Sequence, residues 1–226
     1  MNSLNDTRKI LLFFYNSLFS KNLSTEVTME EFPEFDPFRL ERDPIDKTRQ
    51  DVYRHLRIYL PVLSLIKDNI HVIESTQDKS VQELFKLCFA FLTGFVKDNN
   101  ENQLVLSNSM VVFQHNMQIN LGQVKLIIEI FRDNLLLCTT KLEEVVGSFV
   151  KLIFSSGRKP EYLEFFKVIQ KVQGKLLYDN QRLVLDTFLE PSHKKTLLYL
   201  ASELDIQEMD PTDQRDYRNN YINIFG

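Results

Sequence analysis

The residues able to do chemistry are few and dispersed. Histidine occurs at His55, His71, His115 and His193, and none stands four residues from another metal-capable side chain in a ligand pattern, so no zinc site is readable. Asp210, Thr212, Gln214 and Asp216 alternate like the opening of a calcium loop. Arg215, however, takes the place of the turn glycine, and Tyr221 that of the bidentate carboxylate. Glu30, Glu31, Glu34 and Asp36 read as a solvated acidic loop with nothing to fix their geometry. Cys88 and Cys138 fall on apolar helical faces without paired spacing, and read as reduced, buried thiols. No nucleophile elbow, phosphate-binding glycine loop or dinucleotide fingerprint occurs. These residues supply no catalytic group, no cofactor site and no metal site, and an enzyme is not expected.

Composition excludes further classes. A net charge of −4 and the lack of any basic stretch with interleaved aromatics argue against a nucleic-acid partner. No apolar run reaches the roughly 18 to 20 residues that cross a bilayer, so direct membrane insertion of this chain is not expected. Met1 to Thr7 is polar and is not followed by a signal-peptide core. Only 6 Gly and 7 Pro in 226 residues argue against an all-β fold with many tight turns. With 43% hydrophobic residues, including 18 Phe, the chain can bury a sizeable core.

The elements that must position these residues are helices. Leu142, Val145, Val146, Phe149, Val150 and Ile153 fall on one helical face, with Thr140 and Glu143 spaced as a capping box. Gly157 is placed to end that helix and Pro160 to open the next, which carries Leu163, Phe166, Ile169 and Val172 and stops at Gly174. The pair forms an antiparallel hairpin with Phe149, Phe166 and Ile169 in its core, and it needs similar neighbours to cover its remaining apolar surface. Other helices are expected from about Asp6 to Lys21, from Lys47 through Tyr59 with a kink or restart at Pro61, and over Val81–Val96 behind a Ser80/Glu83 box. Further ones run from Leu104 to about Phe113 and through Val124–Phe131, and another follows Ser192 with Leu197, Leu198 and Leu204. An internal echo joins Glu101-Asn102-Gln103-Leu104-Val105-Leu106 to Asp179-Asn180-Gln181-Arg182-Leu183-Val184-Leu185, as a repeated helical unit would.

The fold class expected is therefore all-α, an armadillo- or HEAT-like superhelical solenoid of antiparallel helix pairs. Three parts are expected: 1–46, a helix plus an acidic loop containing Phe and Pro; 47–190, the helical domain; and 191–226, a last helix and polar tail. Phe32, Phe35 and Phe38 punctuate the acidic loop. They read either as anchors pinning it to its own helices or as a docking peptide for a partner groove.

Several of these residues carry a family resemblance. Arg49-Gln50 with Arg54, Asn102-Gln103, Asp133 to Cys138, Val145-Val146 with Phe149-Val150, Gly157-Arg158 with Tyr162, and Gln170 to Lys175 resemble the armadillo-like homology region of inositol trisphosphate and ryanodine receptors. The likeness runs from about Arg49 to Leu189 and is densest between Cys138 and Lys175. It implies a cytosolic segment of a very large, tetrameric calcium-release channel of the endoplasmic reticulum. Its partners would be the neighbouring domains or subunits of that channel, to which it relays conformational change. In the ligand-binding segment of that family, basic residues hold the ligand's phosphates. Laid on that segment, those places fall here on Lys47, Asp51, Asn100 and Glu101, two acidic and one neutral, the wrong charges for a polyphosphate, so inositol trisphosphate binding by this segment is not expected. The competing reading is a free-standing armadillo-like adaptor that binds peptides or protein partners.

Overall fold

Short polar caps decide where the helices begin. The computed structural model describes residues 2–19, 35–36, 38–115, 117–156 and 159–190. Helix α1 (Asn2–Ser17) is followed by the short α2 (Arg39–Arg42) and by α3 (Lys47–His55). Asp46 caps α3 by accepting from the backbone N–H groups of Thr48 and Arg49. The helix then breaks and restarts as α4 (Tyr59–Asp68), with Pro61 in the first turn, where its missing N–H costs nothing. After α5 (Ile70–Ser75) comes α6 (Lys79–Val96), capped by Asp78 through Ser80 N–H at 2.8 Å. The cap is thus Asp78 rather than Ser80, because the preceding carboxylate reaches the first free N–H.

The second half is built the same way. The expected helix from Leu104 to Phe113 is two, α7 (Asn100–Ser107) and α8 (Met110–Gln114), followed by a 3-10 turn at Met117–Ile119 and by α9 (Gln123–Phe131). Asn134 opens α10 (Leu135–Thr140), and α11 (Glu143–Ser156) follows. Thr140 therefore lies in the last turn of α10 with its hydroxyl donating to Leu136 O at 2.7 Å. It is held there and caps nothing. Helix α12 (Pro160–Gln170) ends earlier than expected, where the chain becomes the antiparallel pair β1 (Lys171–Val172) and β2 (Lys175–Leu176), before α13 (Tyr178–Phe188). Gln173 and Gly174 take φ of 49° and 82° in the two-residue turn between the strands. Gly174 closes a hairpin instead of stopping a helix, since two successive left-handed residues match the twist of paired strands. Gly157 lies outside the described residues.

The described residues are mostly helical, with the two-residue pair as their sole sheet. The chain divides into two units, Met1–Thr187 and Phe188–Gly226. In the first, α6 packs against α1, α4, α7 and α9, and α9 packs in turn against α7, α8 and α12. Every residue of α9 except Lys125 is buried, as suits a helix enclosed by neighbours on all sides. Gly122 lets α9 begin close to α6: a Cβ there would lie 2.8 Å from that of Phe89. Aromatic rings fill the spaces between. Tyr59 stacks on Phe95 at 5.3 Å, and Phe149 on Phe165 at 4.0 Å.

Candidate functional site: buried amides between helix pairs

Four helices, α3, α7, α10 and α13, open alike. In each, the backbone N–H of the fourth residue closes the first turn on the capping residue: Gln50 on Asp46, Gln103 on Asn99, Cys138 on Asn134 and Gln181 on Leu177. The last carbonyls of the longer helices α1, α6, α9 and α12 have no partner within their own helix. Side chains at the third or fourth position of these openings reach helix-end carbonyls, some before and some after them in the chain.

The fourth residue reaches forward. Gln50 donates through Nε2 to Gly94 O (2.7 Å) and Lys97 O (2.9 Å), at the end of α6. Gln103 donates to Glu129 O (2.8 Å) and Arg132 O (3.0 Å), at the end of α9. In both cases the next capping asparagine donates back to the glutamine's Oε1, Asn99 to Gln50 at 3.2 Å and Asn134 to Gln103 at 2.9 Å. Asn99 and Asn134 each follow a left-handed aspartate, Asp98 (φ 55°) and Asp133 (φ 54°), a conformation this residue type tolerates.

The third residue reaches back. Asn102 donates to Phe95 O (2.7 Å) and to the backbone oxygen of Gln50 (3.4 Å). Asn180 donates to Ile169 O (2.7 Å) and to the backbone oxygen of Cys138 (2.9 Å). Arg49 holds Ser17 O at 2.6 Å, so α1 is tied to α3 in the same manner. Gln50, Asn102 and Gln103 are completely buried, and Asn134 is 2% exposed. In such surroundings a satisfied amide locks one arrangement, while an unsatisfied one costs about 1–3 kcal/mol. The α10 copy departs from the pattern. Cys138 is too short to reach α12, and its thiol donates to Phe131 O at 3.3 Å. The next capping position is then Leu177, which has no side-chain amide and no glutamine to meet.

Arg49, Gln50, Asn102, Gln103 and Asn134, all from the resemblance motifs, are thus junction residues. A family profile described as the RIH domain, the homology shared by inositol trisphosphate and ryanodine receptors, matches residues 24–202. The chain belongs to the RIH domain family. It is also 27% identical over 164 residues to the inositol 1,4,5-trisphosphate receptor of Caenorhabditis elegans, a match covering 69% of this chain and 5% of that receptor. The RIH domain described here is therefore a small fraction of that relative's length.

Within this RIH domain several charged side chains are taken up in ion pairs. Asp51 and Glu101 both grip Arg54, at 3.0 and 2.6 Å. Glu129 and Glu164 flank Arg132 at 2.8 and 3.5 Å; burial pulls its pKa down, but the two carboxylates outweigh this and raise it. Burial pushes the Cys88 thiol up to about 12, and that of Cys138 likewise, which keeps both protonated and inert. Among the described residues no group of three or more His, Cys, Asp or Glu could hold a metal, and no helix is long and apolar enough to cross a membrane.

The residues singled out from sequence are spread over the domain. Phe149 and Ile169 are 0% exposed and Phe166 5%. Phe35 packs its ring edge-on against Tyr15 at 5.5 Å, Phe38 is 64% exposed, and Phe32 lies outside the described residues. The junction residue that sequence reasoning passed over is Asn99, in the polar turn before α7. The parallel between Lys97-Asp98-Asn99 and Arg132-Asp133-Asn134, 35 residues on, carries its signal.

Proposed function

We propose that this RIH domain is one segment of an armadillo- or HEAT-like solenoid in the cytosolic part of an inositol trisphosphate receptor type of calcium-release channel. It sits on the face of the endoplasmic reticulum or an equivalent store and relays conformational change between neighbouring domains or subunits of a tetrameric parent. It performs no catalysis and holds no inositol phosphate. One observation carries the reading. The last turn of each of two successive core helices is fastened by a buried glutamine from the preceding helix pair and by the asparagine cap that follows. Helices joined by directional, largely buried bonds move together, so a displacement at one junction is passed to the next.

The test is a graft. Residues 24–202 are placed over the matching segment of the worm receptor, with and without Gln103→Leu. The expected result is normal ligand binding in both chimeras and calcium release only from the first. Equal release from both would count against the relay.

A second reading, a free-standing peptide-binding adaptor, is favoured by a cleft of about 730 Å³ that runs over α6, α9 and α12. Lys125 and Arg132 in that cleft are already paired, with Glu41 and with Glu129 and Glu164. This leaves the relay as the better-supported reading.

A further inference from the structure

Asn102 and Asn180 do the same work at their helix ends but differ on the other side of the amide. Asn102 Oδ1 accepts from Arg54 Nη1 at 2.9 Å, and the same guanidinium grips Asp51 at 3.0 Å and Glu101 at 2.6 Å. Arg54 is the eighth residue of α3, and Glu101 the second of α7. Acceptors from two helices thus converge on one planar, forked donor.

In α13, Asn180 takes the place of Asn102 and Asp179 that of Glu101. The helix that corresponds to α3 is here α10, which ends at its sixth residue, Thr140, and the eighth place falls on Leu142. No arginine is supplied. Asn180 is 7% exposed, and its Nδ2 is turned to Ile169 O and Cys138 O, while its Oδ1 meets no hydrogen-bond partner among the described residues. An acceptor so deeply placed is ordinarily satisfied. The copy between these two has neither group, with Leu137 at the third place of α10 and Ser107 at the eighth of α7. Asparagine and arginine are therefore both present in the first copy and both missing from the second, and the third keeps the asparagine alone.

Asn180 lines a cleft of about 720 Å³ between α7 and α8 on one side and α10, α11 and α13 on the other. Asp179, Glu143 and Glu144 line it too, and their carboxylates have no ion-pair partner among the described residues. Lys141, the one base among the lining residues, is turned to Asn108 Oδ1 at 3.1 Å. Val111, 71% exposed, and Leu183 add apolar surface along which an aliphatic stem can lie.

We propose that this cleft is a docking site for an arginine side chain presented by a protein partner. The guanidinium donates to Asn180 Oδ1 and to Asp179, as Arg54 does to Asn102 and Glu101, and Glu143 and Glu144 supply the complementary charge. A planar fork suits two acceptors on adjacent residues better than the single ammonium of lysine does. The site needs only the junction geometry and is independent of the relay.

Titration of the full chain with the blocked peptide acetyl-Ala-Arg-Ala-amide, followed through the side-chain amide signals of Asn180, tests it. Those signals are expected to move saturably. The same peptide with citrulline for arginine, alike in shape but uncharged, should bind about tenfold more weakly or worse. The lysine peptide should lose about threefold or more. Asp179→Asn is expected to weaken the arginine peptide about tenfold, and Asp179→Glu to retain most of the binding. Both variants replace an exposed side chain that holds nothing else, so the fold is kept. Asn180 signals that stay in place, a citrulline or lysine peptide that binds as tightly as the arginine one, or an Asp179→Asn chain that binds like the parent would overturn the proposal.

Discussion

Phe149→Ala is expected to lower the unfolding free energy by about 3–5 kcal/mol. The ring is 0% exposed, stacks on Phe165 at a centroid distance of 4.0 Å and meets Phe166 edge-on at 6.3 Å. It is the aromatic link between α11 and α12, and Phe165 carries the contact on to Phe131 of α9 at 5.7 Å. Aromatic walls on several sides resist collapse into the space left behind, so the cavity persists and the loss falls in the upper part of the range seen for large-to-small substitutions. Urea unfolding followed by circular dichroism measures it. A loss below about 1 kcal/mol would mean that the ring does not bridge these helices.

Gln103→Leu is expected to cost about 3 kcal/mol although it keeps the side chain's approximate size. The substitution leaves Glu129 O and Arg132 O without the amide that serves them, and strands Asn134 Nδ2, whose remaining acceptor is Asn100 O at 3.4 Å. Replacing a hydrogen-bonded pair by apolar groups is nearly neutral only when both partners change. Here two partners are backbone and stay. Gln103→Glu should be worse, because a carboxylate cannot donate and would face two carbonyl oxygens in a buried site. Chemical denaturation of both variants gives the order, and a Gln103→Leu protein as stable as the parent would remove the energetic basis of the ladder.

The helices were legible where apolar spacing is long and regular, as from Leu142 to Ile153. Misplaced boundaries have local physical reasons. Gly174 suits a helix end and a two-residue hairpin turn equally well, and only the pairing of Lys171 with Leu176 decides between them. Ser80 and Thr140 have capping side chains, but Asp78 begins α6 sooner, and Thr140 is taken up in the last turn of α10, which Asn134 opens. The junctions were half legible. Gln50, Asn102 and Gln103 belong to the motifs that carry the family resemblance, and the echo between Asn102 and Asn180 reflects one shared job. Their burial could not be read, because a polar residue in a helix's first turn is ordinarily solvated. The carbonyls that the two glutamines meet lie 26 to 47 residues away in the chain.

The most direct test of the stack is native-state hydrogen exchange in rising denaturant. If the amide ladder joins the helix pairs into one body, the slowest amides of α6, α9 and α12 should merge into a single opening with a common denaturant slope. Early opening of α12 while α6 stays protected would show the helix pairs to be independent, and would contradict the relay.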